Sequence, residues 1–310
     1  MTSDMLNAPL NENTDPSLAR PLHEALVGAR ADVIAAARDL LAIPESALTR
    51  GWTWIGGSVE EVRYCGYRAA EALEQAEIEA RALTDGSDDQ AGQTARIVGP
   101  ATAARWDLHG LLLPLDEAVL DADPGAGEWS LRLVLGHVIA SQRGYAWANA
   151  WIQAHGPDSA DPSRRIRVPD SVWDALPDEA TTEAEGTVDD LRTRLDDVLD
   201  LGTERLAGIA DDRLAIPAIW SGFPVTLGFR FGRWASHIRE HSIQVQKTFA
   251  LIGYAPDERA FLVRNMLSAY GRAESVVFGR AGVNDAVERV VRGAAEARQA
   301  IESGTKAAEA

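Results

Sequence analysis

The sequence predicts an all-α protein, and three observations carry that prediction. Ala, Leu, Arg, Glu and Asp dominate its 310 residues, a composition of helices rather than sheets. Val and Ile rarely alternate with polar residues, whereas long stretches repeat apolar residues at intervals of three and four. Helix-capping residues and Gly or Pro breaks bracket those stretches.

Taken in order, residues 1–17 are polar, rich in Asn and Asp, and expected to form a disordered tail. A first helix is predicted over 21–41, with Pro21 in its first turn and Ile43-Pro44 as its stop. A second is expected after the Gly56-Gly57 pair, with Ser58 as N-cap and Glu61 completing a capping box. The stretch TDGSDDQAGQTA reads as a polar linker. A third helix is predicted from about Pro100 to Leu120. A fourth opens at Trp129-Ser130 and runs to the mid-150s. Residues 155–186 have little periodicity, and a connection of that length is usually functional or mobile. The fifth helix, 187–209, is strongly amphipathic, with Thr187 and Asp190 placed to cap it. A strand-like patch at 214–229 makes a second long connection. A sixth helix over 227–251 stops at Gly253. Helices at about 256–278 and 283–302 close the chain. Laid without gaps over 129–144, residues 57–72 give a loose echo that sets Cys65 opposite His137.

The formal charge of −17 and pI near 4.8 repel a phosphate backbone and an anionic membrane surface, so neither nucleic acid nor membrane is an expected partner. A single cysteine, Cys65, allows no intramolecular disulfide and is expected as a buried thiol. The N-terminus has no basic start and no apolar core, and no apolar run reaches transmembrane length. A soluble cytoplasmic protein is the expectation; the charge and long helices suit a partner-binding scaffold, and a homodimer is a further expectation. P-loop, dinucleotide-binding and nucleophile-elbow patterns are absent from the sequence.

Of six histidines, His237 and His241 stand four apart in one predicted helix, one above the other on its face. His137 lies on the apolar side of the fourth helix, among Leu133, Val134, Val138 and Ser141. Three imidazoles on inward faces of two helices are a metal-site arrangement that bundles can build. Three neutral nitrogens leave positions open, the pattern of catalytic rather than closed structural sites. Zn, Ni, Fe and Cu all accept imidazole, so spacing does not choose the ion. The alternative also stands: packed or solvated histidines that bind nothing. His23, His109 and His155 join no such group and are assigned to solvent, a helix surface and a loop. Gln244 or Ser141 is expected to hydrogen-bond a ligand from outside, with Arg233, Glu240 and Tyr145 near enough to assist. Arg233 can hold an anion or simply be solvated. Trp147, Trp151, Trp220 and Trp234 are expected in the core or along a pocket.

GEWSLRLVLGHV, giving Trp129, Ser130 and His137, and HIREHSIQ, giving His237, His241 and Gln244, resemble the motifs of DinB/YfiT-like metal-binding four-helix bundles. That superfamily includes the metal-binding domain of mycothiol-dependent maleylpyruvate isomerases. The resemblance covers about residues 96–252. It implies an up-down four-helix bundle with His137, His237 and His241 as ligands of a divalent ion (Zn, Ni or Fe). It also implies a thiol-dependent S-transferase, or a hydrolase, acting on a small electrophilic substrate with a low-molecular-weight thiol such as mycothiol or bacillithiol. Residues 18–95 and 253–310 lie outside it. Each is expected to be a helical pair, the two pairs packing as a second, metal-free bundle. A non-catalytic helical scaffold, with a structural metal or none, is the rival reading.

Overall fold

The structure, a computed structural model, describes residues 10–55, 57–84, 92–157 and 162–310. Its long helices are α1 (Glu24–Ala42), α2 (Tyr64–Thr84), α3 (Gln93–Leu112), α5 (Leu131–His155), α7 (Val188–Leu206), α8 (Leu227–Ile252), α9 (Glu258–Ser275) and α10 (Asn284–Glu309). The five-residue helices α4 (Glu117–Asp121) and α6 (Asp170–Asp174) lie in connections. Two small antiparallel hairpins complete the described residues: β1 (Gly51–Thr53) with β2 (Val59–Glu61), and β3 (Pro217–Trp220) with β4 (Phe223–Thr226).

The helices form two four-helix groups. In the inner one, α3 packs on α7 and α8, and α5 packs on the same two, so α3 and α5 take opposite corners. In the outer one, α1 and α2 each pack on α9 and α10. The groups share a seam between α3 and α9, which needs bare backbone. A Cβ at Gly110 would stand 2.7 Å from the Arg264 Cα, and one at Gly271 would stand 2.7 Å from the Trp106 Cβ. Each group has its own apolar core. The outer one is built largely of alanines such as Ala36, Ala37, Ala69, Ala294 and Ala297.

A buried charge network ties the seam. Arg105 on α3 reaches Asp200 on α7 at 2.8 Å and Glu274 on α9 at 2.9 Å. Arg30 on α1 grips the same two carboxylates. Burial pushes the Glu274 carboxyl up, but the Arg30 and Arg105 guanidiniums beside it outweigh that and bring it down to about 2.

Local signals set most helix ends. Ser130 caps α5 by accepting from the Leu133 N–H, and Thr187 with Asp190 forms a complete capping box on α7. Thr226 caps α8, which stops at Gly253 in the left-handed region (φ 70°). Other expectations fail for non-local reasons. Ser58 and Glu61 cap nothing: Val59–Glu61 pairs with Gly51–Thr53, and α2 begins only at Tyr64. That hairpin is pinned by Trp52, which is buried and donates from its indole to Ser303 Oγ on α10. The echo between 57–72 and 129–144 therefore loses its helical register, with Cys65 the second residue of α2 and His137 the seventh of α5. Pro100 lies inside α3 rather than at its start; burial along α3 outweighs the ~3 kcal/mol that an interior proline costs. Leu10 is buried in the inner core and Asp15 caps a short 3-10 turn, so disorder over 1–17 does not extend to residues 10–17. Residues 1–9, Gly56 and most of the expected linker (85–91) lie outside the described residues. Among the described residues no helix is long and apolar enough to cross a membrane.

Candidate metal centre

Helices α5 and α8 bring His137, His237 and His241 together. One nitrogen from each ring falls within a set whose members all lie within 4.8 Å of one another. Ring centroids stand 4.3 Å (His237–His241), 4.8 Å (His137–His241) and 5.3 Å (His137–His237) apart. Nitrogens around one tetrahedral ion with ~2.0–2.1 Å bonds stand about 3.4 Å apart, so side-chain rotation of the order of an ångström closes the set. His237 is buried, while His137 and His241 are half-buried. Burial pushes His237 down to about 3, and its two imidazole neighbours add to this; burial also lowers His241. Both rings are neutral at pH 7 and keep a lone pair.

The outward nitrogens show where those lone pairs point. His137 Nδ1 lies 2.9 Å from Glu179 Oε2, and a carboxylate only accepts, so in the neutral ring Nδ1 carries the proton and Nε2 the lone pair. His241 Nδ1 lies 2.7 Å from Gln244 Oε1, which fixes the same tautomer there. His241 Nε2 then points its lone pair at His237 Nε2, 3.0 Å away. The His237 Nδ1 is buried with no hydrogen-bond partner among the described residues. If the His237 proton sits on Nδ1 it is unsatisfied, and two lone pairs face each other at 3.0 Å. If it sits on Nε2, a buried lone pair is orphaned. A cation between the Nε2 atoms removes the facing-lone-pair conflict, so this donor set fits a divalent ion.

Glu179 comes from the connection between α5 and α7, where sequence periodicity is silent. The loop is clamped twice. Buried Glu183 accepts from Arg143 on α5 at 2.6 Å, and Asp178 accepts from the Thr181 N–H at 2.8 Å. It also lies directly on α5 at Gly136, where a Cβ would stand 2.3 Å from the Glu179 carbonyl oxygen. The glycine before His137 is thus what lets Glu179 reach that histidine. Trp129, just ahead of the N-cap, covers the His137 ring edge-on at 5.2 Å.

Ser141 Oγ lies 3.5 Å from His137 Nε2, on the inward side of the ring and at the outer limit of a hydrogen bond. Arg233 forks onto Glu240 at 2.7 and 2.8 Å and stacks on Trp220, and its charge helps to hold His237 and His241 down. Of the four tryptophans, Trp147 and Trp234 are core, Trp151 stacks on His155, and Trp220 lines a cleft. His109, expected on a helix surface, is fully buried and lies 2.8 Å from Asp196. The outer bundle covers the face of α3 that a lone bundle would leave wet. His155 ends α5 rather than lying in a loop, and His23 is exposed as the N-cap of α1. Cys65 is buried, which pushes its thiol up to about 12.

Beside the histidines opens a cleft of about 560 Å³, walled by Tyr145, Trp173, Trp220 and Arg230 among others. Tyr145 joins cleft and centre: its ring lies 5.1 Å from Trp220 and 5.3 Å from His237. Glu179, Gly136, Trp173 and Arg230 were not found from the sequence. A 155–186 segment too long for a passive connection was the only signal for Glu179 and Trp173.

Residues 101–245 match the model of the DinB superfamily. The matched stretch runs from α3 into α8 and holds the three histidines with Glu179 and Gln244. No curated protein and no solved structure matches the chain.

Proposed function

From the premise that residues 101–245 form a DinB-superfamily bundle, we propose that this protein is a divalent-metal-dependent enzyme acting on a small electrophilic substrate. The observation that carries the proposal is the inward convergence of three imidazoles, two of them held in one tautomer by Glu179 and Gln244. His137, His237 and His241 would hold the ion, and imidazole donors favour Zn, Ni or Fe. When bound, such an ion supplies Lewis acidity, deprotonating a thiol or lowering the pKa of water from ~15.7 toward ~7. Both S-transfer from a low-molecular-weight thiol and hydrolysis use that acidity.

The chain's own groups set the rest. The Glu179 carboxylate makes the His137 Nε2 more basic, and Gln244 orients His241. Tyr145, whose pKa is raised by burial, stays a protonated phenol, and its ring packs edge-on against His237. Glu240 pairs with Arg233 and so offsets part of the charge that this guanidinium turns on His237 and His241. The cleft holds the substrate against Tyr145 and Trp220.

The test is metal content. Protein purified without a His tag or added metal is expected to carry near-stoichiometric ion by elemental analysis, and the His237→Ala/His241→Ala double variant to carry none. Metal-free wild type with a melting temperature unmoved by His137→Ala overturns the proposal in favour of a scaffold.

A further inference from the structure

Four arginines are buried in the fold: Arg105, Arg143, Arg192 and Arg230. Three of them face carboxylates, with Asp200 and Glu274 on Arg105, Glu183 on Arg143 and Asp189 on Arg192, all at 2.6–2.9 Å. Arg230 is the exception. It is 3% exposed, and among the described residues no carboxylate reaches it. Its Nε donates to Asn149 Oδ1 at 3.0 Å and its Nη1 to the Ile219 carbonyl at 3.1 Å, both uncharged acceptors. The Nη2 is buried with no hydrogen-bond partner among the described residues. Burial draws the guanidinium down to about 10, opposed by the Tyr145 phenol. The Trp220 ring, 5.0 Å away, offsets part of the desolvation through a cation–π contact. A desolvated charge without a counter-ion is costly, and folds rarely keep one without use.

Arg230 stands in the wall of the 560 Å³ cleft. The other charges of that wall, Arg167 and Asp170, lie 4.0 Å apart, are more than 80% exposed, and offset each other. The cleft therefore holds one uncompensated positive charge. Its remaining wall carries the aromatic rings of Tyr145, Trp173 and Trp220 beside Val168 and Ile219. A polyanion would meet the repulsion of a chain at −17.

We propose that this cleft binds a small organic monoanion, a carboxylate on a flat apolar body, with the anion paired to Arg230 Nη2 and the body against Trp220 and Tyr145. Nη2 is closed off from solvent, so binding includes a side-chain movement at the cleft wall. Tyr145 bridges Trp220 and His237, so a ligand anchored at Arg230 presents its far end toward the histidines. This names the substrate class for the site above. It rests on the metal reading for what happens at that far end, and not for the binding itself.

The test compares benzoate with its neutral isostere benzamide by calorimetry, in zinc-loaded and in chelator-treated full-length protein. Benzoate is expected to bind about tenfold or more tighter in both forms, and Arg230→Gln to erase the difference. Loss of the preference in chelator-treated protein alone would mean that zinc, not Arg230, holds the anion, and overturns the proposal. So do equal affinities in wild type, no detectable benzoate binding, or a preference that survives Arg230→Gln. Should Arg230→Gln fail to fold, Trp220→Ala replaces it, with at least the same loss of benzoate affinity expected and an unchanged affinity refuting. A protein that holds no metal yet discriminates benzoate refutes only the metal reading.

Discussion

Gly136→Ala should loosen metal binding without touching a ligand. The new Cβ would sit 2.3 Å from the Glu179 carbonyl oxygen and 2.8 Å from the Ala184 Cβ. Ordinary C···O contacts are about 3.3 Å or more, so the loop must retreat by about 1 Å. The Glu179–His137 bond, 2.9 Å now, then passes the limit of a useful hydrogen bond. Loss of such an outer partner typically lowers metal affinity 10–100-fold, about 1.4–2.7 kcal/mol. Glycine to alanine inside a helix should by itself stabilise by about 0.5–1 kcal/mol, and Gly28→Ala, with open space around its Cβ, provides that control. The assay is competition for zinc against a chromophoric chelator, on tag-free protein. Gly136→Ala and Glu179→Ala should each weaken binding, and the double variant should be no weaker than Glu179→Ala alone, because both act through one contact. Wild-type affinity in Gly136→Ala, or additive losses in the double variant, would refute the reasoning.

Further outcomes follow from the buried charges and the thiol. Arg105→Met should destabilise the fold by about 3–5 kcal/mol in urea denaturation, because it strands Glu274 and Asp200 beside one remaining guanidinium. Arg230→Gln, which removes a charge that faces no carboxylate, should leave the ligand-free midpoint unchanged or raise it. The Glu274 carboxyl is held at about 2, below its ordinary 4.5. Its contribution to stability is therefore complete above pH ~4.5 and lost as pH falls toward 2, so denaturation midpoints measured at pH 7, 4 and 3 should fall in that order. Cys65, buried and with a thiol pKa near 12, should ignore a thiol reagent in the native protein and react fully in denaturant.

The parts of the fold and site legible in the sequence rest on neighbours a few residues apart. Ser130, Thr187 with Asp190, and Gly253 mark helix ends through bonds spanning one turn. His237 and His241 share a helix face by their spacing alone, and Gln244 reaches His241 from three residues on. His137 was placed on the correct face by the apolar residues around it. Two misreadings have a distant cause. The Ser58 box gives way to a hairpin whose Trp52 is anchored 251 residues away in sequence, at Ser303. His109 is misplaced because α3 packs on helices of both bundles, so its polar side is buried as well.

Composition, periodicity and short spacings by themselves determined an acidic, all-helical chain with a three-histidine candidate site. They did so because helix formation and capping are local and a helix face repeats every 3.6 residues. The tertiary structure alone decided that Glu179 leans on Gly136 to reach His137, that Arg105 is neutralised from both bundles, and that Arg230 is left without a counter-charge. Each of these depends on which side chains meet across packed elements, and a buried charge carries no mark in the sequence of whether a partner awaits it.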